Sequence, residues 1–350
     1  MIKRQRGIDM LGGLKSRLKV RRDRLKVLSR KRRRALSEQL EAEGDATRAG
    51  LARFAEKKTL FEKSSPLLRR NIHRLEKGLA MPERRPVFAE SFIGETVALY
   101  TRLIKSAAPS APEVRWAHDV LTAYFAAVQK DDGKIAAAYK SWSALPPLPA
   151  QTPMPASPYA LADQGQMITE KLPAFETFAA LCRARRSQRW FSDAPLPMDQ
   201  VRAAMDAALQ APSACNRQPF DFYLVQSREK VKAVTSLPLG TAGFGDDLPA
   251  VIAVVGDLSN FAEPRDRHLI FIDSGLVAMQ FMLALTAQGL GSVPINWPDL
   301  PDNHDALRDI LGLAPHQVPI MLIGLGVPDP TCIIPYSGKR PADEVLHVID

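Results

Sequence analysis

Three polar side chains alternate along one short stretch of the chain. Arg185, Ser187 and Arg189 are separated from each other by single residues. In an extended backbone alternate side chains point to the same side, so two guanidinium groups and a hydroxyl can converge on one phosphate. The plainer interpretation is a solvated basic stretch that precedes a helix.

A stretch of small and turn-forming residues follows at positions 211–220, between a predicted helix and a predicted strand. Small side chains allow backbone amide groups to approach a flat ligand closely, and Asn216 can both donate and accept hydrogen bonds. Cys215 lies in the same stretch. Nothing adjacent to it in the sequence is placed to activate a thiolate, so a small buried thiol is the favoured interpretation.

The pairing of these two stretches resembles the FMN-dependent nitroreductase superfamily, whose members begin with an Arg-rich phosphate segment and continue to a loop of the form A-P-S-x-x-N-x-Q-P. Further blocks match in order. They are residues 289–292 leading to 294–297, residues 311–313 followed by the Gly-x-Gly-x-Pro of 324–328, and residues 339–341 before Glu344. The resemblance covers residues 172–350.

This resemblance implies an FMN site assembled from several segments. The residues expected at the phosphate and ribityl chain are Arg185, Ser187, Arg189, Lys339 and Arg340. The loop expected to reach the flavin of the other subunit of a dimer contains Pro212, Ser213, Ala214 and Asn216. The segment expected to present a backbone N–H to flavin N5 is Pro294, Ile295, Asn296 and Trp297.

The fold implied by the resemblance is α+β, with a mixed sheet sandwiched by helices, preceded here by an all-helical region. The implied activity is a ping-pong reaction that carries hydride from NAD(P)H to a nitro- or quinone-like acceptor. Because the flavin carries the chemistry, no catalytic side chain and no metal ligand is expected. Two alternatives stay open. One is a specialised flavin-dependent dehydrogenase or oxidase of a biosynthetic pathway, such as surface polysaccharide synthesis, and the other is a non-catalytic flavin-binding interaction protein.

The sequence departs from the family between Ser227 and Asp247. Many relatives have longer helices there, which cover the substrate and add flavin contacts. The short segment in this chain predicts either a more open substrate pocket or a pocket covered by the amino-terminal region.

Hydrophobic periodicity predicts the elements that position these segments. In the amino-terminal part it predicts helices over 66–79, 89–104 and 113–138, the last interrupted by a turn at Lys130–Gly133. In the second part it predicts helices over 197–209, 269–289 and 303–311, and strands over 220–226, 250–255 and 318–323. Residues 345–349 are predicted to be β-rich and to join a sheet edge, either that of this chain or that of a partner subunit.

Six prolines between residues 146 and 158 disfavour both helix and sheet, which predicts a linker. The predicted division is a basic helical region at 1–140, a proline-rich linker at 141–170 and a nitroreductase-like domain at 171–350.

The helix at 269–290 is apolar nearly all round and is interpreted as a buried helix. It carries Met279, Phe281 and Met282 on faces that one small domain could not all cover, which predicts a homodimer.

The net charge of +9 is concentrated at the amino terminus. Residues 1–34 hold fifteen Lys or Arg and two Asp, so the other 316 residues sum to −4. An amphipathic helix is predicted over 11–40, with Arg21 and Arg32 interrupting its apolar stripe. This tail is expected either to stay a solvated arm or to bind something anionic, such as a membrane surface, a polymer or nucleic acid phosphates.

Three scattered cysteines encode neither a disulfide framework nor a zinc site, which favours a reducing compartment and a cytoplasmic location, with residues 1–34 as a possible membrane-peripheral element.

A block at 72–79 resembles an amino-terminal extension of nitroreductase-like proteins associated with surface polysaccharides. Within it, His73 and Glu76 stand one helical turn apart. A hydrogen-bonded surface pair is favoured over a shared metal or proton.

Overall fold

The computed structural model describes residues 30–57, 64–106, 111–131, 133–148 and 173–349. Five helices make up the described part of the amino-terminal region: α1 (Arg30–Lys57), α2 (Pro66–Leu79), α3 (Ile93–Ile104), α4 (Ala111–Ala127) and α5 (Gly133–Ser143). The predictions for residues 11–29 and for the linker beyond residue 148 lie outside the described residues. The described residues of the amino-terminal region consist of these helices and the turns between them, in agreement with the predicted helical region.

Helix α2 shows why this sequence is helical. The Ser65 side chain caps its start by accepting a hydrogen bond from the Leu68 backbone N–H at 3.2 Å, and Pro66 occupies the first turn, where its missing donor does no harm. Leu68, Ile72 and Leu75 recur every three or four residues and are all fully buried. They pack with residues of α3, α4 and α5 into one core that belongs to this helical region.

The carboxyl-terminal part alternates helices and strands. Its helices are α6 (Phe175–Ala184), α7 (Met198–Ala208), α8 (Arg228–Thr235), α9 (Leu269–Ala287) and α10 (Pro301–Leu311). Its strands are β1 (Phe220–Val225), β2 (Ala250–Asp257), β3 (Gly291–Asn296) and β4 (Gln317–Gly326). All strands except the one predicted at 345–349 are present, with ends that differ from the predicted ones by a few residues.

The four strands form one sheet in the order β1-β2-β4-β3, and every neighbouring pair is antiparallel. The α+β class is confirmed, but the predicted mixed sheet needs correction. Strands β2 and β3 run in the same direction, yet β4 lies between them and opposes both. Among the described residues, the parallel component is the single bridge between Ser187 and Ser292 at the free edge of β3.

Helices cover both faces of the sheet, as predicted. Along β2, Ile252 and Val254 face a core shared with α7 and α9, whereas Val251 and Val255 face a core shared with α8 and α10. The alternation follows from the two-residue period of a strand. Both faces of β2 are therefore buried, in agreement with its continuous apolar sequence.

Helix α9 lies in the middle of this domain. A stretch that includes it, Pro264–Ala287, is long and apolar enough to cross a membrane by length and composition, but in this fold it packs against the sheet and α7. Phe281 and Met282 are buried by their own domain, so the prediction that they need a second subunit is wrong for these two residues. Met279 does remain exposed, in line with that prediction.

The predicted β-rich stretch at 345–349 forms no strand within this chain. A short 3-10 turn at Ala342–Glu344 precedes it, and the stretch that follows is exposed. Among the residues that the structure describes, no sheet edge is paired with it, so these apolar side chains stay exposed. Pairing with a partner's sheet stays a prediction.

The two regions touch through α1, which crosses the turn at Leu258–Asn260. Gly50 makes this approach possible, because a Cβ on it would lie 2.6 Å from Leu258 Cβ. Lys57 Nζ donates to Ser259 Oγ at 2.6 Å, and Arg267 pairs with Glu43 at 2.8 Å. The helical region is thus anchored to the sheet domain by packing and by polar contacts.

Candidate functional site

Residues 185–191 run as an extended segment along the free edge of β3. The Arg185 N–H donates to the Leu181 carbonyl and ends α6, and the Gln188 N–H then donates to the Ser292 carbonyl at 2.9 Å. Because partner residues in a sheet point to the same face, Ser187 and Ser292 share one face. The alternation predicted from the sequence places Arg185 on that face as well.

Two glycines allow this segment to dock. A Cβ on Gly291 would lie 2.7 Å from Gln188 Cγ, and a Cβ on Gly326 would lie 2.9 Å from Phe191 Cδ1. Both distances are shorter than a real Cβ contact permits. These glycines belong to two of the sequence blocks that mark the resemblance, and their structural role is to admit the Arg185–Phe191 segment to the sheet.

Within the described part of the chain, two buried polar atoms at this edge have no hydrogen-bond partner, Arg185 Nη1 and Ser292 Oγ. Unpaired buried groups are rare and usually indicate a missing ligand, water or ion. Arg189 makes separate contacts: its Nη1 donates to the Ser187 carbonyl at 3.3 Å, and its guanidinium lies 5.5 Å from the Phe244 ring centroid. The structure therefore brings Arg185 and Ser187 to one face and holds Arg189 against an aromatic ring.

The predicted flavin loop has an unusual backbone. Cys215, Asn216 and Gln218 have positive φ values of 54°, 52° and 50°, in the left-handed region that non-glycine residues seldom occupy. Local hydrogen bonds hold this shape, since the Gln218 N–H donates to Ser213 Oγ at 3.1 Å and Gln218 Nε2 donates to Asn216 Oδ1 at 2.9 Å. Strained backbone of this kind tends to occur at functional sites.

Asp273 is a loop-supporting residue that sequence reasoning missed. It interrupts the apolar sequence of α9, is only 3% exposed, and accepts a hydrogen bond from the Ala214 N–H at 3.0 Å. Burial raises the pKa of Asp273, while this hydrogen bond and the nearby Arg217 act to lower it. A lone acidic residue in an otherwise apolar helix was the available signal.

Arg217 follows the loop and is 8% exposed. Its guanidinium lies 5.1 Å from the Phe261 ring centroid. Burial lowers the pKa of Arg217, opposed in part by nearby acidic groups that include Asp273.

The segment predicted at flavin N5 forms the end of β3. Pro294 and Asn296 are exposed and alternate with buried Ile295 and Trp297. By the two-residue period of the strand, the exposed pair lies on the same face as Ser292. This places the third predicted segment beside Arg185 and Ser187. Pro294 is tolerated because β3 is an edge strand, which leaves one side of its backbone without a ladder partner.

Lys339 and Arg340 bond within their own segment. Lys339 Nζ donates to the Ser337 carbonyl at 2.8 Å, and Arg340 pairs with Glu344 at 3.0 Å. Both residues are exposed. The structure gives them no contact with Arg185 or Ser187 within the described part of this chain, so their role at the phosphate stays a prediction.

The helical region also contacts the predicted flavin loop, residues 212–218. Arg69 Nε of α2 donates to the Asn216 carbonyl at 3.0 Å, so the amino-terminal region packs directly on this loop. His73 and Glu76 of the same helix lie 3.3 Å apart, and Glu76 also accepts from Trp116 Nε1. The pair is therefore a hydrogen-bonded contact, as favoured from the sequence. The described residues contain no group of three His, Cys, Asp or Glu suited to a metal ion.

Comparison with known proteins places these features in one family. The family model described as "Nitroreductase family" matches residues 182–241 and 228–327. An Archaeoglobus fulgidus protein, named for NADH dehydrogenase and NAD(P)H nitroreductase activity, is 31% identical over 147 residues, which are 41% of this chain and 81% of that protein. An NADH dehydrogenase of Thermus thermophilus is 28% identical over 188 residues, with 45% of this chain and 89% of that protein covered.

The chain is also similar to solved structures. A nitroreductase from Desulfovibrio desulfuricans, crystallised in complex with FMN, is 22% identical with a TM-score of 0.42, and the match covers 49% of this chain and 96% of that one. The residues matched by the family model include the whole extended segment at 185–191, the strained loop and all four strands. The chain belongs to the nitroreductase family.

Proposed function

We propose that this protein is an FMN-dependent oxidoreductase that uses NAD(P)H to reduce an organic acceptor of nitro or quinone type. The observation that carries the proposal is the buried Arg185 Nη1, beside Ser187 at the edge of β3; this nitrogen has no hydrogen-bond partner among the residues that the structure describes. A phosphate monoester carries about −1.5 to −2 charge and three acceptor oxygens at neutral pH. The unpaired guanidinium nitrogen and the unpaired Ser292 hydroxyl fit such a group.

The chain's own residues would bind and orient the cofactor. Arg185 and Ser187 would hold the phosphate, and the exposed end of β3 at Pro294–Asn296 would line the flavin ring. The strained loop at 212–216 would contribute in trans from a second subunit, as the family resemblance implies. When bound, FMN would supply two-electron transfer between NAD(P)H and the acceptor, so that no nucleophilic side chain is needed.

The proposed assembly is a homodimer. Phe271, Ile272 and Leu276 on α9 are exposed large apolar residues, although this helix is central to its own domain. Large apolar patches on a soluble protein surface mark sites of association. A second copy would bury this surface and bring the flavin loop to its partner's cofactor.

Absorption spectroscopy and kinetics test the proposal together. The purified protein should be yellow or should take up FMN on titration, and it should then oxidise NAD(P)H in the presence of a nitroaromatic or quinone. If donor and acceptor use one site in turn, double-reciprocal plots should be parallel. A colourless protein that does not take up FMN would refute the flavin assignment. Bound FMN without NAD(P)H turnover would indicate a flavin-binding protein instead of an oxidoreductase.

A further inference from the structure

The flavin loop needs support because of its backbone shape. Cys215, Asn216 and Gln218 all have positive φ, and this conformation strains a non-glycine residue, so it persists only where the surroundings hold it in place. Asp273 holds one end of the loop through the Ala214 N–H, and Ser213 holds the Gln218 N–H. These contacts come from the nitroreductase domain itself.

One further contact reaches the loop from the helical region. Arg69 Nε donates to the Asn216 carbonyl at 3.0 Å. This bond joins residues 147 positions apart. The acceptor is the backbone carbonyl of Asn216, and Asn216 itself has a left-handed backbone conformation. Because the donor is cationic, the bond is stronger than an ordinary one between neutral groups.

Arg69 is held in turn by a buried carboxylate. Its Nη1 pairs with Glu113 Oε2 at 3.0 Å, and the Glu113 side chain is 1% exposed. Glu113 also accepts from Ser64 Oγ at 2.5 Å and from the Ser65 N–H at 3.1 Å. The guanidinium lies 5.6 Å from the Trp116 ring centroid. Arg69 therefore has little freedom to leave the Asn216 carbonyl.

We propose that Arg69 and Glu113 are positioning residues for the flavin loop, and that the helical region thereby forms part of the redox site. Neither residue touches the cofactor in this scheme; Glu113 orients Arg69, and Arg69 holds the backbone that orients Asn216. The proposal rests on the proposed function for the identity of the ligand. It assigns a role to a region that the family match does not cover.

The test combines two variants with one matched control. Arg69→Met removes both bonds but keeps much of the side-chain volume, and Arg69→Lys keeps the charge with a single donor group. Arg115→Met is the control, because Arg115 pairs at 2.8 Å with Asp119 on its own helix, α4, whereas Arg69 bonds to the loop. Glu113→Gln tests the second residue while keeping its shape.

Hydrogen exchange of the apoprotein is the first readout. Amides of residues 214–218 should exchange faster in Arg69→Met than in the wild type or Arg115→Met, with Arg69→Lys in between. FMN titration is the second readout. Arg69→Met should bind FMN about tenfold more weakly, the change expected for one lost hydrogen bond, and Arg115→Met should bind like the wild type.

The outcomes separate the two proposals. If the wild type takes up no FMN, the proposed function fails, whereas exchange at the loop still decides whether Arg69 positions it. If Arg69→Met and Arg115→Met lower the melting temperature alike and leave loop exchange and FMN affinity unchanged, Arg69 is merely structural and the inference is overturned. Should Arg69→Met not fold, Arg69→Lys and Glu113→Gln give the same readouts.

Discussion

Replacing Arg185 should have opposite effects on the free protein and on the FMN complex. Arg185 Nη1 is buried and finds no hydrogen-bond partner in the described ranges of the chain. Leaving such a group unsatisfied costs roughly 1 to 3 kcal/mol, and Arg185→Met removes it while keeping an apolar stem. The apoprotein should therefore be as stable as the wild type or more stable, with an equal or higher melting temperature.

The complex should respond in the other direction. A hydrogen bond to a charged group contributes about 1.5 to 3 kcal/mol, and each 1.4 kcal/mol is about tenfold in affinity. Arg185→Met should therefore bind FMN roughly 10- to 150-fold more weakly in a fluorescence titration. Arg186→Met is the matched control, because Arg186 Nη1 bonds to the Arg185 carbonyl and its side chain alternates to the opposite side.

Two results would refute this reasoning. If Arg185→Met bound FMN as tightly as the wild type, the unpaired nitrogen would not be a phosphate ligand. If the apoprotein lost as much stability as the complex lost affinity, Arg185 would act in folding, and the weaker binding would be a secondary effect.

Three further predictions follow from the same geometry. Gly291→Ala should push Gln188 off the sheet edge, which should lower the free energy of unfolding by about 1 to 3 kcal/mol and weaken FMN binding. Gly94→Ala is the control, because a Cβ on Gly94 would meet nothing within 4 Å, and it should neither destabilise the protein nor weaken FMN binding. Calorimetry and FMN titration measure the two effects. Asp273 has a native pKa raised above its ordinary 3.8 by burial. The native state then binds more protons than the unfolded state between these two pKa values, so wild-type stability should fall as pH rises through that window. Asp273→Asn should lack this fall in denaturation curves recorded against pH. Deletion of residues 1–34 should leave FMN binding and turnover intact and abolish salt-sensitive retention on heparin or anionic vesicles. Glu43, Gly50 and Lys57, through which α1 contacts the sheet domain, all lie beyond residue 34, so loss of FMN in the truncated protein would contradict the prediction.

Local sequence patterns predicted most of the elements because each pattern is set by near neighbours. The buried stripe of α2, the turn between α4 and α5 and the apolar run of β2 are all visible within a few turns or residues of the chain. Arg185 and Ser187 were predictable for the same reason, since alternation in an extended segment is a local property. Its place in the fold depends on one further contact, the pairing of residues 187–188 with Ser292 at the edge of β3.

The residues that hold the flavin loop were not predictable in this way. Arg69 and Asn216 are 147 positions apart, and no local pattern links them. In the sequence Asp273 is only an interruption of an apolar helix. Its role could not be predicted, because its partner, the Ala214 N–H, is a backbone group on another element. The antiparallel order of the sheet likewise depends on where β4 inserts, which hydrophobic pattern alone does not specify.

Dimerisation is the prediction on which the completeness of the site depends. Ile272, Leu276 and Met279 recur at a spacing of four and three along α9, so they form one stripe on its surface, and each is at least 41% exposed. The carboxyl-terminal residues Val348 and Ile349 are 79% and 93% exposed. The described residues of a single chain leave both apolar surfaces exposed.

In a twofold interface each substitution acts twice, because the same surface meets its own copy. Removing a buried isoleucine costs about 1.5 to 3 kcal/mol per copy, so Ile272→Glu should weaken the dimer by roughly 10²- to 10⁴-fold. Light scattering should then show a monomer at concentrations where the wild type is a dimer, and FMN should be lost with the partner's loop. Met81→Glu, at an exposed methionine in the helical region, should change neither property. A wild type that is monomeric with FMN bound would contradict the trans arrangement of the loop, since the Pro212–Asn216 segment would then have to serve its own subunit or none.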